Sequence, residues 1–179
     1  PFAPRSPYAV AKSTAKWLIN SYRESYGLYA CTGILFNHES PLRPERFVTQ
    51  KIIAGAAKIK AGQLDKLQLG NLDISRDWGW APEYVQAMWL MMQLDQPDDF
   101  VIATGRKESL KYFVAKSFEY FDLDWQKYVE IEPSFFRPNE IISSVGNPEK
   151  AIKTLGWSKP TDIDGVIKMM CAEQVKKYQ

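Results

Sequence analysis

Tyr8 and Lys12 stand four positions apart, a spacing that on a helix puts both side chains on one face and within reach of each other. A free phenol titrates at about 10, so a tyrosine takes up a proton near neutrality only when a neighbouring cation favours its anion. Lys12 supplies such a cation. The same spacing also describes the polar edge of any amphipathic helix, so the surroundings decide what the pair does. The only histidine is His38, which rules out a two-histidine zinc site and leaves one place around which a Ser-His-Asp triad can be built.

Other residue types narrow the chemistry further. The ten glycines never come closer than Gly27 and Gly33, so neither GxGxxG nor GxxxxGK[ST] can be written, and the chain has no glycine loop to cradle a phosphate. Lys and Arg total 23 against 21 Asp and Glu, with no basic run longer than a pair, which gives no footprint for nucleic acid or an acidic membrane. Cys31 and Cys171 are far apart with no CxxC spacing. They read as two buried apolar groups in a reducing cytoplasm. The longest apolar run, Ala87 to Met92, is too short to cross a bilayer. With 179 residues, 25% of them charged and 45% hydrophobic, a packed core is expected and wholesale disorder is not. The chain opens at Pro1 within Pro-Phe-Ala-Pro, which looks like the interior of a loop and suggests a piece of a longer protein.

The elements that must position these residues alternate between helix and strand. Ser6 and Pro7 form a cap and first turn for a helix over Tyr8 to Tyr26, stopped by Gly27. Leu28 to Phe36 is a nearly continuous apolar run, the pattern of a parallel strand buried on both faces. Asn37 to Arg46 then reads as a loop leaving the carboxyl end of that strand, where ligands commonly bind. Phe47 to Ala61 is a second helix ended by Gly62, and Lys66 to Leu69 a short strand followed by a polar turn. A helix from Pro82 to about Leu94, a strand over Phe100 to Thr104 and a helix capped by Ser109 and running to Phe121 follow. Val129 to Ile131 is a further strand, and helices over Pro148 to Leu155 and Asp162 to Lys177 close the chain. Trp78 and Trp80, flanking Gly79, are read as packing rather than base-stacking groups, as are Met88, Trp89, Met91 and Met92. The fold class is α/β.

In this setting Ser6-Pro7-Tyr8-Ala9-Val10-Ala11-Lys12 and Leu35-Phe36-Asn37-His38-Glu39-Ser40-Pro41 resemble the extended short-chain dehydrogenase/reductase superfamily. Further blocks look like its GDP-mannose 4,6-dehydratase family, in order and spacing: Phe47 to Ile52, Leu69 to Asp73, Arg76 to Gly79, Phe136 to Glu140, and Leu155 to Trp157. The likeness departs from the family at Glu83, where an Asp is usual, and has no matching block over Asp122 to Ser134.

The resemblance implies the carboxyl-terminal part of a Rossmann-type parallel sheet plus a smaller α/β substrate-binding domain. Residues 1–46 would belong to the NADP-binding domain, and 47–179 mainly to the nucleotide-sugar domain, with segments returning to the first. It implies a hydro-lyase that converts GDP-mannose to GDP-4-keto-6-deoxymannose. A hydride passes from C4 to NADP, water is eliminated across C5 and C6, and the hydride returns to C6. Tyr8 would be the base at the C4 hydroxyl, with Lys12 lowering its pKa and bonding the nicotinamide ribose. Tyr8, Lys12, His38 and Arg43 would contact NADP, and Asn37, Val48, Lys51, Arg76, Arg137 and Glu140 the nucleotide sugar. The family's glycine-rich loop, and the Thr and Glu that complete its active site, lie upstream of Tyr8. The isolated chain is therefore expected to be inactive, and its parent a cytoplasmic homo-oligomer. By residue type alone, His38 is equally a loop cap, and Arg43, Lys51 and Arg137 are solvated charges. Two other functions stay open: an NADP-dependent reductase or epimerase of a GDP-deoxysugar, and a non-catalytic nucleotide-sugar binding module.

Overall fold

The computed structural model describes residues 3–137, 139–158 and 160–177. Pro1 and, within the Phe136 to Glu140 block, Pro138 lie outside the described residues. The chain runs α1 (Pro7–Tyr26), β1 (Thr32–Leu35), β2 (Asn37–Glu39), α2 (Val48–Lys60), β3 (Leu67–Leu69), β4 (Ser75–Arg76), β5 (Trp78–Trp80), α3 (Ala81–Met91), β6 (Asp99–Ile102), β7 (Glu108–Ser109), α4 (Leu110–Tyr120), α5 (Trp125–Tyr128), β8 (Val129–Ile131), α6 (Glu149–Leu155) and α7 (Ile163–Val175). A single 3₁₀ turn covers Pro133–Phe135.

Local chemistry sets the ends of the helices. Ser6 accepts a hydrogen bond from Ala9 N at the start of α1, and Gly27 stops it at φ 62, a left-handed conformation that a Cβ would strain. Ser109 caps α4 through Tyr112 N, and Asp162 caps α7 through Gly165 N.

Strands pair β1 with β6, β2 with β5 and β3 with β8, all parallel, while β4 and β7 are antiparallel. Parallel pairing of β1 matches its apolar pattern, but the strand is shorter than expected and only half-buried. Its one hydrogen-bonded neighbour among the described residues is β6. Asn37 to Glu39, expected as loop, form β2, because their backbone pairs with Trp78, Gly79 and Trp80. The polar turn after Leu69 likewise contains β4 and β5.

Two apolar cores result. The larger packs α2, α4 and α7 over β3, with Ile52, Ile53, Phe113, Val114, Phe118, Val166 and Met170 at its centre. The smaller holds Tyr84, Ala87, Met91, Phe100, Ile102, Ala151 and Trp157, against which Cys31 and Leu35 pack. Trp78 is buried against Phe113 with ring centroids 5.5 Å apart, as a packing role requires. On α3 only Tyr84, Ala87 and Met91 are buried. Met88, Trp89 and Met92 are exposed, since the helix packs through the narrow stripe of Tyr84, Ala87 and Met91 and these side chains fall beside or beyond it. Cys171 is buried as expected, whereas Cys31 is only partly so.

Candidate active site

A cleft of about 600 Å³ opens where the ends of β2, β4 and β5 meet the start of α2 and the 135–140 segment, a size suited to a nucleotide-bearing ligand. Its walls include Tyr8, Asn37, Arg43, Val48, Lys51, Arg76, Arg137 and Glu140. The structure therefore brings together most of the candidate residues, drawn from five separate stretches of chain. Lys12 and His38 are not among the lining residues.

The pleat of β2 explains the exception of His38. Alternate residues of a strand point to opposite faces. Asn37 and Glu39 line the cleft, whereas His38 stacks on Tyr84 with centroids 4.8 Å apart. Its Nδ1 lies 2.8 Å from the Phe36 carbonyl. Gly79, opposite His38 in the register, makes room for that stack: a Cβ there would meet Tyr84 Cε2 at 2.3 Å.

Tyr8 is 72% exposed, and Lys12 Nζ sits 5.6 Å from its ring centroid. The pair is in contact, with the cation over the ring, which is the four-residue proximity the spacing predicts.

Cations dominate the cleft. Arg43, Arg46, Lys51, Arg76 and Arg137 face Glu39 and Glu140 across it. The start of α2 adds to this, since Phe47 makes no side-chain cap and the first turn carries no acidic residue; a helix N-terminus favours an anion. Arg76 Nη2 donates to Glu140 Oε1 at 2.9 Å, and Nη1 to the Ser75 carbonyl at the same distance. Burial lowers the pKa of Arg76 and the charge of Arg137 lowers it further, while Glu140 opposes both. Lys51 Nζ donates to the Gln68 carbonyl at 2.7 Å and lies 4.7 Å from the centroid of Phe135.

Two carboxylates that motif reasoning passed over hold this arrangement. Glu39 is 1% exposed. Its Oε2 accepts from Thr49 Oγ1 at 2.6 Å and lies 2.9 Å from Arg43 Nε, an ion pair without the alignment of a hydrogen bond. Burial pushes its pKa up to about 7, against the opposing effects of Thr49 and Arg43. Asp77, fully buried, accepts from Thr104 N and Oγ1, Gly105 N and Gly146 N at 2.7 to 3.2 Å. It ties the Arg76 segment to the loop after β6. Both sit inside blocks quoted for the family likeness, but their burial depends on partners distant in the chain. Among the described residues no cluster of His, Cys, Asp and Glu is placed to hold a metal ion.

Known proteins resemble this chain along most of its length. Residues 1–170 match the profile of the family described as GDP-mannose 4,6 dehydratase. The chain is 50% identical over 176 residues to GDP-mannose 4,6 dehydratase 1 of Arabidopsis thaliana, covering 98% of this chain and 49% of that protein. It is 45% identical over 202 residues to GDP-mannose 4,6-dehydratase of Vibrio cholerae, covering 98% and 53%. The chain thus spans about half the length of the relatives it matches. In fold it is similar to RMD from Pseudomonas aeruginosa, solved with NADPH, at a TM-score of 0.88 and 19% identity over 98% of this chain and 58% of that one. It is also similar to dTDP-glucose 4,6-dehydratase from Bacillus anthracis, solved with NAD, at 0.85 and 17% over 99% and 54%. The α/β fold is of the Rossmann type shared by these proteins, and with its sequence matched along nearly its whole length the chain belongs to the GDP-mannose 4,6-dehydratase family.

Proposed function

We propose that the protein carrying this chain is a hydro-lyase that converts GDP-mannose to GDP-4-keto-6-deoxymannose with NADP. One observation carries the reading: Tyr8 and a set of cations suited to a pyrophosphate line one cleft. The names of the relatives support the substrate.

Arginine offers a planar fork of donors that matches phosphate oxygens, so Arg76 and Arg137 grip the GDP pyrophosphate, with Lys51 and the first turn of α2 at Val48 adding positive charge. Glu140 holds the Arg76 fork in place, and Asn37 offers an amide to the sugar. Tyr8 removes the proton of the C4 hydroxyl, with Lys12 as the cation beside it. NADP, when bound, accepts the hydride and gives it back.

The residues present fit part of such a cofactor. Arg43 is fixed by Glu39, by the His38 carbonyl at 3.2 Å and by the Phe47 ring at 4.1 Å, and it borders the cleft. Lys12 and His38 belong to the same cofactor side, His38 through the ring edge that Phe36 leaves uncommitted. The two apolar cores support the division into a cofactor side, built on residues 1–46 with α3, β6 and α6 returning to it, and a nucleotide-sugar side in the remainder. A cytoplasmic homo-oligomer is part of the same reading, supported by free Cys31 and Cys171 and by exposed Trp17, Leu18 and Tyr22 on α1. No helix among the described residues is long and apolar enough to cross a membrane.

The test is incubation of that protein with GDP-mannose and NADP, followed by mass spectrometry of the nucleotide sugar. Loss of one water with appearance of a 4-keto group is expected. A product that keeps its water, whether reduced or epimerised, overturns the dehydratase reading.

A further inference from the structure

Burying a carboxylate is unfavourable unless it is paired and hydrogen-bonded, and Glu39 is only partly satisfied. Its Oε2 serves both Thr49 and Arg43, while Oε1 is buried with no hydrogen-bond partner. What the side chain gains is connection. It leaves the end of β2, reaches Arg43 in the loop that follows, and reaches Thr49 in the first turn of α2. β2 and the start of α2 also carry Asn37, Val48 and Lys51.

Arg43 has a long, flexible side chain, and holding it in one geometry costs entropy that a ligand would otherwise have to supply. Here that ordering precedes the ligand. The guanidinium lies between the Glu39 carboxylate, the His38 carbonyl and the Phe47 ring, and it borders the cleft.

We propose that Glu39 is a positioning residue: its buried carboxylate locks Arg43 against the end of β2 and the start of α2, and the cleft owes part of its affinity for a dinucleotide phosphate to that lock. The proposal rests on the reading of Arg43 as a cofactor contact. Glu39 acts through Arg43, so its effect on binding vanishes when Arg43 is absent.

The test is a double-mutant cycle in the protein that carries this chain, with NADPH as the probe and its Kd read by calorimetry. Glu39→Gln keeps the shape and removes the charge, and is expected to weaken NADPH about tenfold. Arg43→Ala should weaken it at least as much, and the double variant should match Arg43→Ala to within about a factor of two. A purely structural role would lower the melting temperature without this coupling. Should Glu39→Gln fail to fold, Thr49→Val, which removes one donor and keeps the carboxylate, enters the same cycle with an expected loss of about threefold. Unchanged NADPH binding in the single variant overturns the proposal. So do an effect that persists in the Arg43→Ala background, an Arg43→Ala variant that binds normally, and a parent that does not bind NADPH. The GDP-mannose product assay is read separately: a 4-keto product with no coupling refutes the lock alone, and coupling with no 4-keto product refutes the reaction alone.

Discussion

Arg76 Nη2 and Glu140 Oε1 meet at 2.9 Å although 64 positions separate them in the chain. Both side chains are largely buried, at 14% and 19% exposure. A pair so sheltered is strongly asymmetric in its response to mutation, because removing one member strands the other.

Arg76→Ala is expected to cost roughly 2–5 kcal/mol of GDP binding, the range for a desolvated charge that loses its partner, and Arg137→Ala, at an exposed position, a smaller amount. Arg76→Lys keeps the charge without the bidentate geometry and should fall between parent and alanine. Calorimetric titration with GDP checks both. Equal affinity in parent and alanine variants removes these arginines from the site.

Tyr8→Phe deletes one phenolic oxygen and leaves the ring under Lys12. General base catalysis contributes about 100-fold to 10,000-fold, so kcat for water loss from GDP-mannose should fall by that order. GDP affinity should stay within about threefold of the parent, since no binding fork is touched. A variant turning over at nearly the parent rate assigns the base elsewhere.

Glu39 makes stability depend on pH. Its pKa is about 7 in the folded protein against an ordinary 4.5. The folded state therefore holds the proton more tightly, and the stability it contributes is full below about 4.5 and lost as pH rises through about 7. The difference is worth about 3 kcal/mol at most. Denaturant titrations at pH 5 and pH 8 should show the parent losing stability relative to Glu39→Gln over that interval. A parallel pH response in the two proteins contradicts the shift.

Gly79→Ala inserts a Cβ 2.3 Å from a ring carbon of Tyr84, which is fully buried. The ring has no room to retreat, so a loss of about 1–3 kcal/mol is expected, as for other overpacked interiors. Thermal unfolding measures it. Tyr84→Leu, which takes away the clash, should make the same glycine substitution much less damaging.

The helices were legible from caps and stops: Ser6, Gly27, Ser109 and Gly62 bound their elements as residue type predicts. β2, β4 and β5 were not. They are two or three residues long and mostly polar or aromatic, and only pairing with distant backbone makes them strands. At the site, spacing pointed to Tyr8 and Lys12, and the ordered blocks pointed to Arg76, Arg137 and Glu140. Glu39 and Asp77 stayed hidden because a carboxylate in sequence looks like a solvated charge, and their burial depends on Thr49, Arg43, Thr104 and Gly146, which only the folded chain assembles. The sharp separation of His38 from Asn37 depends on a strand pleat that a loop assignment cannot contain.

Helix α1 carries Tyr8 yet buries none of its residues. It is fastened to β6 at Asp99, where Lys16 Nζ and Arg23 Nη2 approach to 2.9 and 2.5 Å and where, against the upward push of burial, these two cations bring the pKa down to about 2. A helix clamped by charge, with little apolar area to release on opening, is the kind of segment that detaches before the rest of a molecule unfolds. Its amides should exchange with solvent deuterons ahead of those in α2 and α4, and sooner still in concentrated salt. Tyr8 thus rides on a helix held by charge more than by burial, and whatever that side chain does depends on how long the clamp at Asp99 stays closed.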